Sequence, residues 1–270
     1  MNRTKIADIV VARLERDRVT LQKNFATSGP IGHFAIDDVL PPDLALRIRA
    51  AFPVSNAMKT RHSLRELKFI AAQMDRYNRL LEEAIYAFQD PRIVRLVGEI
   101  TGLPALEPDD HLYAGGISMM VQGHFLNPHL DNSHDKERQR YRVLNLLYYC
   151  SPNWSLECGG NLELWPEGPQ GQPITVESRF NRLAVMVTHR QSWHSVSSVH
   201  SDEARCCVSN YYFSHRSPEQ SDYFHVTSFR GRPEQKLRDL VLRADVALRM
   251  AVRKLFPRGA YKVKHYYDKK

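Results

Sequence analysis

The residues best suited to chemistry are His129 and Asp131, which stand two positions apart after an apolar run. In an extended strand, residues two apart point to the same side, so the imidazole and the carboxylate face a common point. One histidine and one carboxylate are two of the three ligands of a 2-His-1-carboxylate iron site, which leaves coordination positions open for oxygen and a co-substrate. Such a site still needs a second histidine and an anchor for an acidic co-substrate.

The second histidine is predicted to be His194, and the anchor is predicted to be Arg205. His194 lies 63 residues beyond Asp131, which is enough chain for four or five strands to return to the same end of a sheet. Arg205 opens the apolar strand 205–213. If this strand forms a hairpin with that of His194, the guanidinium points into a barrel beside the metal, where its fork of donors suits a carboxylate.

A rival His-x-Asp pair is formed by His200 and Asp202, within the polar run 197–203. This run is typical of a hairpin turn, so we interpret the pair as a surface feature. His124 and His134 flank the metal pair more closely. For these two histidines, a position in the pocket and a position on the surface both stay open.

The elements that must position these residues fall into two parts. The N-terminal third predicts an amphipathic helix at 5–22, a helix from Asp43, and a helical stretch at 77–100 divided by Asp90-Pro91, whereas 53–67 is polar and predicted to be irregular. From Leu112, short runs rich in β-branched and aromatic residues alternate with Gly, Pro, Asn and Ser. They predict strands at 117–121, 142–150, 161–165, 174–176, 183–187, 194–199 and 205–213.

This succession predicts a mainly β protein with flanking helices, whose core is a sandwich or jelly roll of the cupin type. We expect a single domain over 1–270, with helical support at 1–104, a β core at 105–215 and a helical extension at 216–270. The last helix should begin after Arg232-Pro233-Glu234 and stop at Pro257. Its apolar stripe, from Leu237 to Leu255, is expected to pack on the core.

Composition excludes several classes of protein. The 270 residues are 43% hydrophobic, and no apolar run reaches the roughly 18 residues that a membrane span needs. The four cysteines suggest neither a disulfide framework nor a zinc site, which favours the cytoplasm. Residues 228–270 hold 13 Lys/Arg and 4 Asp/Glu, so this extension carries 13 − 4 = +9 of charge. Because no base-reading motif is interleaved, we favour a solvated basic helix over a nucleic-acid partner.

Four blocks of the sequence, taken in order, resemble the Fe(II)- and 2-oxoglutarate-dependent dioxygenases, and within them the prolyl 4-hydroxylase-like group. Any one block is weak, whereas all four at this spacing are specific. The blocks are 123–132; 142–150 with Asn153-Trp154; 159–166; and 181–183 followed by 193–196 and Arg205. The resemblance implies that the jelly roll is a double-stranded β-helix.

The resemblance also implies roles for individual residues. His129, Asp131 and His194 would hold Fe(II), and Arg205 would bind the distal carboxylate of 2-oxoglutarate. Tyr148 falls on the position whose hydroxyl shares that carboxylate, with a core aromatic as the alternative. Molecular oxygen would be the second co-substrate, and the family allows for ascorbate as an accessory.

The reaction implied is the oxidation of an unidentified prime substrate, coupled to release of succinate and CO2. Arg142 and Tyr211 match positions that face the prime substrate in oxygen-sensing prolyl hydroxylases. Met120 stands where the family often has tyrosine, which indicates a different substrate pocket. Halogenating relatives replace the carboxylate by a small residue, so Asp131 favours hydroxylation.

Three interpretations remain open at this point. The first is a hydroxylase acting on a peptidyl residue or a small biosynthetic intermediate. The second is a non-catalytic cupin-like binding or interaction protein that retains the barrel. The third places zinc on the same ligands for hydrolysis, which leaves Arg205 and Tyr148 unexplained. The oligomeric state is also open.

Overall fold

Five α-helices flank the sheet in the part of the chain that the structure, a computed structural model, describes: residues 1–219, 221–255 and 267. They are α1 (Arg3–Thr27), α2 (Pro42–Ala50), α3 (Arg79–Ala87), α4 (Pro91–Thr101) and α5 (Lys236–Leu255). Asp90 starts α4, because its carboxylate accepts a hydrogen bond from the Arg92 N–H at 2.9 Å and Pro91 fixes the first helical position. The predicted division at Asp90-Pro91 is thus confirmed.

Thirteen strands lie within the same described ranges. They are β1 (His33–Ile36), β2 (Lys59–His62), β3 (Glu66–Ala71), β4 (Glu107–Pro108), β5 (Gly116–Met120), β6 (Phe125–Leu130), β7 (Tyr141–Tyr149), β8 (Leu162–Leu164), β9 (Ile174–Val176), β10 (Arg182–Val187), β11 (His194–Val196), β12 (Arg205–Ser214) and β13 (Ser228–Phe229). The seven strands predicted after Leu112 are all present, with ends shifted by three residues at most.

The strands follow the order β1-β10-β7-β12-β5-β3-β6-β11-β8-β9. Strands β1, β10, β7, β12 and β5 form one side, and β6, β11, β8 and β9 form the other. Strand β3 joins the sides, because it pairs antiparallel with both β5 and β6. The result is a nearly closed, barrel-like jelly roll, which is the predicted double-stranded β-helix with flanking helices.

Strand β7 separates the helix-covered outside of the barrel from its interior. Residues two apart in a strand share a face. Tyr148 is fully buried on the outer face, where its ring lies 5.6 Å from that of Phe88 at the end of α3. Asn145 and Leu147 lie on the other face and line the interior cavity. Burial of the apolar outer face against the helices therefore fixes which residues of β7 reach the cavity.

The polar segment 53–67 departs from the prediction of irregular structure. It contains β2 and the start of β3, which pair antiparallel with Lys59 opposite Ile70 and His62 opposite Leu67. Strand β2 reads Lys-Thr-Arg-His and is mostly exposed. A strand without a buried face carries no apolar alternation, so the sequence pattern could not reveal it.

Helix α5 begins where it was predicted to begin, whereas its predicted stop at Pro257 lies outside the described residues. The expected packing of its apolar stripe on the core is wrong, because the stripe faces outward. Its large members are 37–84% exposed: Leu237, Leu240, Val241, Leu248 and Val252. The helix instead buries Leu242, in a cluster that includes Met120, Leu126 and Phe229. None of the described helices is long and apolar enough to cross a membrane.

Candidate metal and co-substrate site

Three potential metal ligands meet where β6 and β11 pair. His129 lies directly opposite His194 in this antiparallel pair, and Asp131 follows the end of β6. The ligating atoms of the three residues all lie within 4.8 Å of one another. The Asp131 carboxylate is 3.9 Å from Nε2 of His129 and 3.6 Å from Nε2 of His194. Strand pairing thus gathers residues that are far apart in the chain.

The backbone fixes which nitrogen of each imidazole faces the common point. His129 Nδ1 lies 3.0 Å from the carbonyl of Asn127, and His194 Nδ1 lies 2.9 Å from that of Ser192. A carbonyl oxygen only accepts, so each Nδ1 carries the proton and each Nε2 keeps its lone pair. Burial, with the neighbouring His194, lowers the pKa of His129 to about 3. A neutral imidazole with a free Nε2 is the form that binds a metal ion.

Asp131 is held as a carboxylate. Burial alone would raise its pKa, but the charge of Arg142, the two imidazoles and a hydrogen bond from Asn145 outweigh burial, so the pKa lies well below its usual range. Arg142 Nη1 is 3.1 Å from Oδ1, and Asn145 Nδ2 donates to Oδ2 at 2.8 Å. Two neutral imidazoles and one carboxylate form the donor set of a 2-His-1-carboxylate iron site. The residues therefore fit Fe(II).

Arg205 shares a small interior cavity with the three ligands. The cavity measures about 110 Å³ and is lined by all three ligands, by Arg205 and by Met120. Arg205 is only 3% exposed, and it contacts Ser178 Oγ at 3.4 Å and Met120 Sδ at 3.9 Å. No carboxylate of the described residues forms an ion pair with it. Burying a guanidinium without an anionic partner costs free energy, so an anion is expected to bind beside Arg205. The distal carboxylate of 2-oxoglutarate fits this position.

The tyrosine beside Arg205 is Tyr149, which corrects the assignment of Tyr148. Tyr148 lies on the outer face of β7, where its hydroxyl donates to Asn181 Oδ1 at 2.9 Å. The Arg205 guanidinium instead lies 4.7 Å from the ring centre of Tyr149. The Tyr149 hydroxyl is buried, and burial raises its pKa to about 12. A protonated hydroxyl beside Arg205 is placed to share the same carboxylate.

A second correction concerns how Arg205 reaches the site. The strands of His194 and Arg205 do not form a hairpin: β11 pairs with β6 and β8, whereas β12 pairs with β4, β5 and β7. Arg205 opens β12 opposite Met120 and faces the ligands across the barrel interior. The shared cavity was predicted correctly, but the pairing that was assumed to create it was wrong.

The other three histidines that the sequence analysis considered lie outside this cavity. His200 and Asp202 are exposed, as a surface turn requires. His124 and His134 are both buried, so the surface position that the sequence left open is wrong for both. His124 packs on the Phe69 ring at 4.8 Å, and His134 Nδ1 lies 2.8 Å from Ser133 Oγ.

The two predicted substrate residues lie together but face different surroundings. Tyr211 lines both the interior cavity and the larger outer cavity that opens from it. The Arg142 guanidinium lies 4.6 Å from the Tyr211 ring centre, yet it pairs with Asp131 and is not among the residues that line either cavity. Arg142 is therefore positioned to orient a metal ligand rather than to touch substrate.

Sequence reasoning missed three residues beside the ligands. Asn145 hydrogen-bonds Asp131, Lys68 lines both cavities, and Phe229 stacks on the His129 ring at 5.0 Å. Asn145 could have been found, because it shares its face of β7 with Tyr149 by period two. Lys68 and Phe229 belong to strands that no apolar pattern marked.

The matched part of the chain belongs to a known superfamily. Residues 115–213 match the sequence model of the 2OG-Fe(II) oxygenase superfamily, and this stretch contains the three ligands and Arg205. The protein is therefore a 2-oxoglutarate-dependent iron dioxygenase, as the four sequence blocks indicated. No curated protein matches the sequence.

Solved structures show the same fold at low sequence identity. A prolyl-4-hydroxylase from Pseudomonas putida is 17% identical, with 74% of this chain and 100% of that chain covered and a TM-score of 0.55. A Trichoplax adhaerens prolyl hydroxylase, solved with a hypoxia inducible factor peptide fragment, is 19% identical (74% and 90% covered, TM-score 0.53). HygX from Streptomyces hygroscopicus, solved with nickel, 2-oxoglutarate and hygromycin B, is 12% identical (74% and 87% covered, TM-score 0.50). These likenesses place the fold in the prolyl 4-hydroxylase-like group.

Proposed function

We propose that this dioxygenase is a hydroxylase, in which His129, Asp131 and His194 hold Fe(II) and Arg205 holds 2-oxoglutarate. The observation that carries the proposal is one interior cavity that joins two free imidazole Nε2 atoms, a carboxylate and a buried arginine without a carboxylate partner. Bound Fe(II) would supply oxidation of a substrate C–H bond by O2, coupled to conversion of 2-oxoglutarate to succinate and CO2.

The surrounding residues of the chain orient and protect this centre. Arg142 and Asn145 hold the Asp131 carboxylate, which fixes the direction of its oxygens. Tyr149 and Arg205 bind the distal carboxylate of the co-substrate. Tyr211, on the wall shared by both cavities, contacts the prime substrate. The retained Asp131 favours hydroxylation over halogenation, because no ligand position is freed for chloride.

The prime substrate is proposed to be a peptidyl residue or a small biosynthetic intermediate. Neighbours of the same fold include one solved with a peptide and one solved with hygromycin B, so the fold accommodates both sizes. All four cysteines are free, which supports a reducing, cytoplasmic setting. A single apolar cluster contains residues from Ile6 to Tyr267, which supports one domain over the whole chain.

The proposal is tested by anaerobic titration of the protein with Fe(II) and then 2-oxoglutarate. We expect a weak visible charge-transfer band in the wild type and none in His129→Ala or His194→Ala, because each substitution removes a ligand. Arg205→Ala should keep the metal but weaken 2-oxoglutarate binding roughly 10- to 100-fold, as loss of a charge-assisted hydrogen bond of about 1.5–3 kcal/mol predicts. Tyr149→Phe should weaken it by less.

The control is His200→Ala, which removes the histidine of the exposed His-x-Asp pair and should change neither titration. Tyr148→Phe should likewise leave 2-oxoglutarate affinity unchanged. Succinate formed in air, with and without candidate substrates, separates catalysis from binding. Full turnover by His129→Ala would contradict the assignment of the metal site.

The other interpretations have less support. A non-catalytic barrel leaves the unpaired Arg205 and the oriented imidazoles without a purpose. A zinc hydrolase would need no anchor for a dicarboxylate. Succinate formation that depends on Fe(II) and fails with Zn(II) would exclude both.

A further inference from the structure

A second, larger cavity opens from the metal ligands to the surface. It measures about 360 Å³, and His129 and Asp131 form part of its wall. The rest of the wall comes from the β2–β3 hairpin, residues 114–118, β6, β12, β13 and helix α5. A molecule in this outer cavity would lie beside the metal ligands, on the side away from Arg205, which lines only the inner cavity.

The wall of the outer cavity carries an excess of positive charge. Four cationic side chains line it, and two acidic residues do: Arg61, Arg65, Lys68 and Arg249 against Glu66 and Asp131. Lys68 pairs with Glu66 at 2.9 Å, and Asp131 is already held by Arg142. Neither of these pairs involves Arg65 or Arg249.

Two of those arginines share one carboxylate. Arg65, beside the start of β3, and Arg249, on α5, both pair with Asp245; the Arg249 contacts are 3.0 Å from Nε and 2.9 Å from Nη2. A single carboxylate balances one of the two guanidinium charges. Arg249 Nη2 is buried against this one carboxylate. Burial and the nearby Arg65 lower the pKa of Arg249. The arginine pair thus has one positive charge left for an anion.

An aromatic ring connects this arginine pair to the metal site. The Arg65 guanidinium lies 5.9 Å from the ring centre of Phe229, and the Phe229 ring stacks on His129 at 5.0 Å. Arg65 is therefore separated from a proposed iron ligand by a single aromatic ring. An anion held there would leave the rest of a small molecule, or of a side chain, pointing towards the reacting centre.

We propose that Arg65 and Arg249 bind an anionic group, a carboxylate or a phosphate, of the prime substrate. The inference rests on the proposed function, because it assigns the outer cavity to the substrate of the same iron site. It also gives the basic C-terminal extension a role in binding, since α5 supplies one half of the anion-binding pair. Guanidinium groups bind both oxyanions through paired N–H donors.

The test uses the full-length protein loaded with Mn(II) and saturated with 2-oxoglutarate. The probes are benzoate and phenyl phosphate, each compared with a neutral counterpart, benzamide and phenol. Saturation-transfer NMR on a sample without Mn(II) measures the affinity of each probe. Relaxation of the probe protons in the Mn(II)-loaded sample measures how close the bound probe lies to the metal site. We expect the anions to bind roughly tenfold or more tightly than their neutral counterparts, with strong relaxation. The tighter anion identifies the carboxylate or phosphate class.

Three variants decide what the arginines do. Arg65→Gln and Arg249→Gln should each weaken anion binding roughly tenfold. Arg243→Gln removes the same charge from an exposed position of the same helix and should have less than about a twofold effect. Asp245→Asn releases both guanidiniums, so anion binding should hold or tighten. If the arginines only fastened α5, Asp245→Asn would weaken binding as they do.

Equal binding of charged and neutral probes, or wild-type anion affinity in both arginine variants, would overturn the inference. Failure of the proposed function is distinct: Mn(II) would then leave the protons of 2-oxoglutarate itself unrelaxed. Anion binding that is sensitive to Arg65 and Arg249 but shows no relaxation by bound Mn(II) would also contradict the inference, because the anion would lie away from the iron site.

Discussion

Helices α1 and α5 carry the same kind of amphipathic pattern at opposite ends of the chain, but the fold uses them differently. In α1 the apolar stripe is buried, with Ile6, Val10 and Leu14 fully inaccessible. In α5 the stripe is exposed, and Leu237 and Leu240 are 84% and 64% accessible. An apolar stripe at helical spacing therefore predicts a helix in both places, but it predicts burial in only one.

The difference follows from what holds each helix. Helix α1 packs on α3, α4 and β1 through its apolar face. Helix α5 is held to the rest of the protein by ion pairs: Asp239 pairs with Arg230 at 2.6 Å, and Asp245 pairs with Arg65. Its polar side thus faces the protein, over the outer cavity. Helix α1 packs on β1 and the other N-terminal helices, whereas α5 places Arg249 in the wall of the outer cavity.

The largest expected effect is the loss of buried volume in α1. Leu14→Ala should lower the free energy of unfolding by about 2–5 kcal/mol, because a fully buried leucine leaves a cavity. Urea denaturation measures the loss. The affinity of the folded variant for 2-oxoglutarate should match that of the wild type, since α1 contributes nothing to either cavity wall. If the free energy of unfolding fell by less than about 1 kcal/mol, the buried stripe of α1 would contribute no more to stability than the exposed stripe of α5.

The sequence predicted those parts of the site in which residue type and strand phase agree. His129 lies in β6, Asp131 follows directly after that strand, and Arg205 opens β12, so the two-residue period of a strand was enough to predict which way they point. Tyr148 was assigned from the family resemblance, and nothing in the sequence itself distinguishes two adjacent tyrosines. Only the burial of one face of β7 against α3, with Phe88 against Tyr148, shows which of the two reaches Arg205.

The parts that escaped prediction depend on pairing across the chain. The exposed strand β2 has no apolar alternation, and nothing local indicates that β11 pairs with β6 rather than with β12. The orientation of α5 depends on Arg65, which lies 180 residues before Asp245. Short-range patterns describe elements, whereas these features are set by contacts between elements.

An intermediate effect is expected where α5 does bury a side chain. Leu242 is 2% exposed and packs in the cluster of Met120 and Phe229. Leu242→Ala should lower the free energy of unfolding by about 2 kcal/mol, as measured by urea denaturation. This is at the low end for a buried leucine, because α5 is exposed on its other side and Leu242 therefore has few neighbours. It should also weaken benzoate or phenyl phosphate binding, since Arg249 moves with the helix. Unchanged binding would mean that the ion pairs alone position α5.

The smallest effect is expected from the same substitution on the exposed stripe. Leu240→Ala should change the free energy of unfolding by no more than about 0.5 kcal/mol, because the side chain is already 64% accessible and alanine is at least as good a helix former as leucine. Compared with Leu14→Ala, this variant changes only the environment of the leucine. A loss above about 1 kcal/mol in urea denaturation would show that the stripe is covered in solution. In that case the two helices would differ in their partners rather than in whether their apolar faces are buried.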